Sequence, residues 1–113
     1  MARDEYTLDR LRNLLRERHV PWMEKRMFGG DCFMVDDKMC FGTYKGGIMF
    51  RVDPDLDIQA LNRLGTSTMV QGGREMPGFV QAEPQAYDSN ADLEFWVDQC
   101  LIYNPKAKAS KKK

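Results

Sequence analysis

The sequence predicts an α+β domain of two layers, an antiparallel β-sheet of about five to six strands packed by helices, in the order α-β-β-β-α-β-β-α. Three observations predict it. Apolar residues recur at helical spacing near both ends, as Leu8, Leu11 and Leu15, and as Leu93, Trp96, Val97, Cys100 and Leu101. Between them lie short β-prone blocks, Phe33-Met34-Val35, Cys40-Phe41, Tyr44 and Ile48-Met49-Phe50 with Val52, separated by Asp36-Asp37 and Gly46-Gly47, the turn chemistry a hairpin needs. A chain of 113 residues is long enough for one buried core and too short for two.

The first helix is expected from about Asp4 to Arg18, with Asp4 as N-cap, basic residues near its negative pole and Pro21 ending it. Trp22 to Met27 reads as a first strand, broken at Gly29-Gly30. Two-residue turns at Asp36-Asp37 and Gly46-Gly47 would pair Phe33 with Cys40, Cys32 with Phe41 and Phe41 with Val52. One sheet face then carries Cys32, Met34, Met39, Phe41, Ile48, Phe50 and Val52 as core. The other carries Phe33, Val35, Cys40, Tyr44 and Met49 beside Lys38 and Arg51. A three-residue turn at either hairpin would swap the faces of the strands beyond it.

Asp53-Pro54-Asp55 reads as a helix start, with Ile58, Leu61 and Leu64 as its apolar stripe and Gly65 as its stop. Thr66 to Val70 and Phe79 to Ala82 come next as strands, with Gln71-Gly72-Gly73 turning the chain between them. The last helix runs from about Asn90 to Asn104, and Ser89 offers its cap.

Charge is unevenly divided. Five of the 17 basic residues lie in residues 106–113, so residues 1–105 hold 12 basic against 17 acidic side chains, a net charge of −5. Residues 1–105 are expected to form the single domain and 106–113 a disordered lysine-rich tail. An acidic body is a poor phosphate-binding surface, which leaves nucleic acid only weak contact through the tail. The N-terminal segment has no uninterrupted apolar stretch, so neither a leader nor a membrane span is expected. Three cysteines, Cys32, Cys40 and Cys100, with no CxxC spacing, read as reduced thiols in a cytoplasm.

Lys25-Arg26-Met27-Phe28-Gly29-Gly30, Phe33-Met34-Val35-Asp36-Asp37-Lys38-Met39 and Phe50-Arg51-Val52-Asp53 form an ordered series, completed by Gly72-Gly73 and Met76-Pro77-Gly78-Phe79. With that series the chain resembles the N-terminal domain of the TfoX/Sxy family, from the first helix to about Asn104. The resemblance implies a bacterial, non-enzymatic regulatory domain related to competence and transcription control. Full-length members append a second, helical domain. This chain resembles the standalone form, and the family brings no catalytic residues to carry over.

The residues themselves supply no catalytic constellation, metal site or cofactor motif. His19, the only histidine, sits at a helix end with no nucleophile motif beside it, and a dipole-stabilised surface histidine accounts for it. Asp36-Asp37, Asp53, Asp55 and Asp57 lack EF-hand spacing, and turn and helix-start chemistry accounts for them. Two kinds of site remain as candidates. Lys25, Arg26, Gly29 and Gly30, with Gly72, Gly73 and Arg74, are candidate anion-contacting turns, a role that needs both glycine turns at one end of the sheet. Tight bends account for the same glycines. Phe33, Val35, Tyr44 and Met49 form a candidate interaction surface, to be covered by a protein partner or a second copy. A small-molecule site between the glycine turns is the remaining alternative.

Overall fold

A computed structural model describes residues 5–27, 30–44, 46–56 and 64–107. They form helix α1 (Glu5–Glu17), strands β1 (Met23–Met27), β2 (Gly30–Val35), β3 (Lys38–Tyr44), β4 (Gly47–Arg51), β5 (Thr66–Gln71) and β6 (Arg74–Ala82), and helix α2 (Asn90–Tyr103). Short 3₁₀ turns at Pro84–Ala86 and Asn104–Lys106 bracket α2. The strands make one antiparallel sheet in the order β1-β2-β3-β4-β6-β5. The α+β class and the antiparallel sheet are as expected. The helix expected between Asp53 and Gly65 falls largely on residues 57–63, outside the described residues. At its start, Asp53 Oδ1 accepts from Asp55 N at 2.9 Å and Asp53 O from Leu56 N at 2.9 Å, a local Asp turn.

Each helix is ended by chemistry visible in the sequence. α1 stops at His19, which takes a left-handed φ of 56°. Val20 N then reaches back to Leu15 O at 2.9 Å and His19 N to Arg16 O at 3.0 Å, satisfying carbonyls the helix would leave open. His19 is exposed, and its place as the helix-stopping residue accounts for it. At the start of α2, Ser89 Oγ accepts from Asp92 N at 3.1 Å, the cap its spacing predicts. At the other end Asn104 Nδ2 donates to Val35 O at 3.2 Å, and Lys38 Nζ donates to Asn104 O at 3.2 Å and Pro105 O at 3.3 Å. A cation at the negative helix terminus thus ties α2 to the β2–β3 turn.

α1 and α2 lie on one face of the sheet and run in the same direction. Arg10 of α1 reaches Tyr87, Asp88 and Asn90 at the start of α2, and Arg18 reaches Asp98 farther along it. Arg18 grips Asp98 with both Nε and Nη2. On the other side of α1, Arg12 holds Glu24 of β1 in a two-pronged ion pair at 2.8 and 2.9 Å, and Trp22 Nε1 donates to the same carboxylate at 3.0 Å. These carboxylates raise both guanidinium pKa values above the ordinary value, with the Glu24 hydrogen bond as the largest cause for Arg12 and the Asp98 hydrogen bond for Arg18. Leu8, Leu11, Leu14 and Leu15 of α1 and Leu93, Trp96, Val97 and Cys100 of α2 are buried with Phe33, Val35, Cys40, Phe41, Ile48, Phe50, Val52, Val80 and Ala82 of the sheet. The Trp96 ring stacks on Phe50 with centroids 5.6 Å apart, and Phe33, Phe41 and Phe50 continue the aromatic row.

The opposite sheet face holds a second buried cluster, Cys32, Met34, Met39, Met49 and Met69, with Tyr44 and Phe79 half-buried against it. Methionine suits such a site because its flexible thioether fills irregular gaps. This arrangement corrects the expected faces. Val35 pairs with Lys38 and Met34 with Met39, as a two-residue turn at Asp36-Asp37 requires, but Phe33 then pairs with Phe41 and Cys32 with Gly42. A β-bulge at Cys40 has inserted one residue into β3, so Cys40 and Phe41 both belong to the helix-side core. Phe33 and Val35 therefore join the helix side, and Cys32, Met34 and Met39 the methionine side. At the next hairpin Tyr44 pairs with Gly47, so the loop falls one residue earlier than expected. That displaces the pairing by two residues and leaves the faces of β4 unchanged relative to Phe41.

Candidate interaction surfaces

The four residues expected to make one interaction surface are split between the two sides. Phe33 is 0 % exposed and Val35 6 %, both in the helix-side core, whereas Met49 is 3 % exposed in the methionine cluster. Tyr44 is half-buried beside Met49. The bulge at Cys40 is the physical reason, since it reverses β2 relative to β4. Within this chain both faces of the central strands are already covered, so this quartet is not a common outer surface.

Nor do the two glycine turns meet. The β1–β2 connection closes where Met27 faces Gly30, and the β5–β6 connection closes where Gln71 faces Arg74. Along the antiparallel order, the first lies at the end of the sheet shared by Gly47 and Ala82, and the second lies at the opposite end. They also occupy opposite edges. Gly29 is outside the described residues. Gly30 is buried in β2, where a Cβ would come within 2.2 Å of the Thr43 carbonyl oxygen, so close strand approach explains the glycine. The next amide, Asp31 N, donates to Thr43 Oγ1 at 2.9 Å. Lys25 and Arg26 are exposed on β1, with Arg26 Nε 3.7 Å from Asp31 Oδ1. Gly72 and Gly73 have φ of 60° and 79°, the two left-handed positions of a tight hairpin turn, and Arg74 is exposed after them. Among the described residues the two turns do not come together into one anion cradle.

The thiols are buried and free. Burial pushes the Cys32 thiol up to about 11, with Cys40 adding to it and Lys25 opposing. Burial likewise raises Cys100 well above the ordinary value, helped by contact with the Cys40 thiol. A thiol held neutral in an apolar core is a packing group and a poor nucleophile. Cys32 and Cys40 lie in different clusters, on opposite sheet faces, as expected. Among the described residues no three His, Cys, Asp or Glu side chains gather to hold a metal ion, and no helix is long and apolar enough to cross a membrane.

A surface that sequence reasoning missed lies where α1 and α2 run side by side. A groove of about 300 Å³ opens there, lined among others by Tyr6, Arg10, Asn13, Asn90 and Glu94. Arg10 sits 5.7 Å from the Tyr6 ring centre, while its Nη2 donates to Tyr87 O at 3.0 Å, Asp88 O at 3.1 Å and Asn90 Oδ1 at 3.3 Å. Those bonds fix the guanidinium in the groove, and among the described residues its buried Nε has no hydrogen-bond partner. Tyr6 is 74 % exposed at the rim. The i, i+4 spacing of Tyr6 and Arg10 was the available signal, but it reads as an ordinary solvent-facing pair until α2 is placed beside it.

The family model for the TfoX N-terminal domain matches residues 13–102, which run from within α1 through nearly all of α2 and include the whole sheet. No curated protein and no solved structure matches the chain. With the match covering most of its length, the chain belongs to the TfoX N-terminal domain family.

Proposed function

We propose that this domain is a non-enzymatic, cytoplasmic regulatory module that works by contacting another protein, in keeping with the competence and transcription control with which its family is associated. Membership of the family over residues 13–102 is the observation that carries this reading. The α1–α2 groove supplies the surface for it. It combines an exposed tyrosine, a fixed arginine and amide side chains at its rim, residue types suited to adaptable protein contact. Nucleic acid is the weaker partner on charge grounds, because residues 1–105 carry a net −5 and only the terminal lysines favour phosphate.

The test is site-specific photo-crosslinking of the full chain in its host cell. A crosslinker replacing Tyr6 is expected to give discrete protein adducts that Arg10→Glu reduces severalfold. One replacing Asp37, exposed in the β2–β3 turn, is expected to give none of the same adducts. Equal labelling from both positions, or adducts to nucleic acid in place of protein, would overturn the proposal.

A further inference from the structure

We propose that the buried sulfur cluster on the sheet face opposite the helices binds one soft monovalent metal ion, copper(I), through the thiolate of Cys32 and the thioethers of Met34, Met39 and Met49. This site lies away from the α1–α2 groove and does not depend on it. Cys32, Met34, Met39, Met49 and Met69 are buried together, so sulfur atoms from four strands share one apolar cluster. Cys32 Sγ donates to Met34 Sδ at 3.8 Å. Two sulfurs each about 2.3 Å from one ion, at tetrahedral or trigonal angles, stand about 3.8–4.0 Å apart. This pair therefore has the separation of two ligands of one ion, which would take the place of the thiol proton.

The strand register brings the rest of the set to the same place. Directly paired residues share a sheet face, and Met34 pairs with Met39, while Cys32 and Met49 both pair with Gly42. Gly42 puts no side chain between them. Met23 of the edge strand pairs with Met34 and is 59 % exposed, which sets a further thioether between solvent and the buried pair as an entry path. Lys25, also exposed, pairs with Cys32, and its charge favours the thiolate.

The chemistry selects the ion. Thiolate and thioether are soft ligands that favour copper(I), whereas magnesium and calcium take oxygen. Charge selects it too, because one monovalent cation and one thiolate make a neutral unit, the state an apolar cluster accepts. A divalent ion would leave a buried positive charge with no second anion in the ligand set. Burial holds the free Cys32 thiol up at about 11, so the metal itself must ionise it. Binding breaks the S–H bond, forms a copper–sulfur bond and releases the proton to solvent, and the copper stays copper(I).

The test is an anaerobic titration of the full chain with copper(I) supplied as its bicinchoninate complex, followed in the methyl spectrum of protein carrying ¹³C-methyl methionine. One equivalent is expected to leave the chelator, and the methyls of Met34, Met39 and Met49 to shift together. Cys32→Ser should weaken binding by about a hundredfold or more. Met34→Leu keeps the volume and removes the sulfur, so it should weaken binding by about tenfold with little change in melting temperature. Cys100→Ser, in the helix-side core, should leave binding as it is. No transfer from the chelator, methyls that stay in place while copper binds, binding lost in Cys100→Ser but kept in Cys32→Ser, or a folded Met34→Leu that binds like wild type would each overturn the proposal. The methyl shifts of the wild-type chain decide the matter even where a variant fails to fold.

Discussion

Trp96→Ala is expected to cost about 3–5 kcal/mol of stability, enough to consume much of what a domain of this size has. Trp96 is fully buried at the centre of the helix-side core, stacked on Phe50 and edge-on to Phe95 at 5.1 Å. Truncation removes the largest contact between α2 and the sheet, and the surrounding strands are too constrained to close the cavity. Trp96→Phe should cost less than half as much. Among the described residues the buried indole Nε1 has no hydrogen-bond partner, so replacing it strands no acceptor among them. Urea titration of the three proteins measures both values. An alanine variant that melts cooperatively near the wild-type midpoint would show that α2 does not pack on β4 as described.

Gly47→Ala should be comparably damaging, at about 3 kcal/mol or more, although it adds a single methyl group. A Cβ at Gly47 would stand 2.1 Å from the Ala82 carbonyl oxygen. The obstacle is backbone, which cannot turn aside as a side chain would. β4 cannot retreat from β6, because β3 is paired on its other side. The neighbouring Gly46 provides the contrast. It has φ +82°, but its Cβ position is open, so Gly46→Ala should lose only about 1 kcal/mol through backbone strain. Thermal melts of the two variants decide the matter, and the reverse order of damage would contradict the β3–β4–β6 register.

Both described helices were legible because their apolar residues fall at i, i+3 and i+4, and the Ser89 cap because its spacing is local. The β2–β3 turn was legible for a similar reason. Asp36 and Asp37 take φ of 53° and 64°, conformations that aspartate tolerates better than most residues. The bulge at Cys40 was not legible, since it carries no glycine. Its one trace is that Cys40 and Phe41 are consecutive apolar residues in a strand that should alternate, and both are buried on one side. That single residue puts Phe33 and Val35 on the helix side, apart from Met49 and Tyr44.

The sequence places the start of this strand at Phe79, because Pro77 and Gly78 oppose strand structure, whereas β6 starts at Arg74. Pro77 is tolerated because it lies in the stretch skipped by the β5–β6 register and beyond Phe79, the last β6 residue paired with β4 in the ladder. The α1–α2 groove joins Arg10 to residues about eighty positions away, and no local pattern announces such a meeting. Placing the glycine turns likewise required the strand order. Only the sheet topology shows that they lie at opposite ends.

The functional account depends on the sheet using both faces within its own chain, which leaves the helix groove for contact. Nuclear Overhauser spectroscopy on protein carrying ¹³C-methyl methionine tests that claim most directly. The methyls of Met34, Met39, Met49 and Met69 should show a common network of contacts that reaches Tyr44 and Phe79, with none to the Trp96 ring. Contacts from Met34 or Met39 to Trp96 or Phe50 would place those residues on the helix side, remove the bulge at Cys40, and contradict the account.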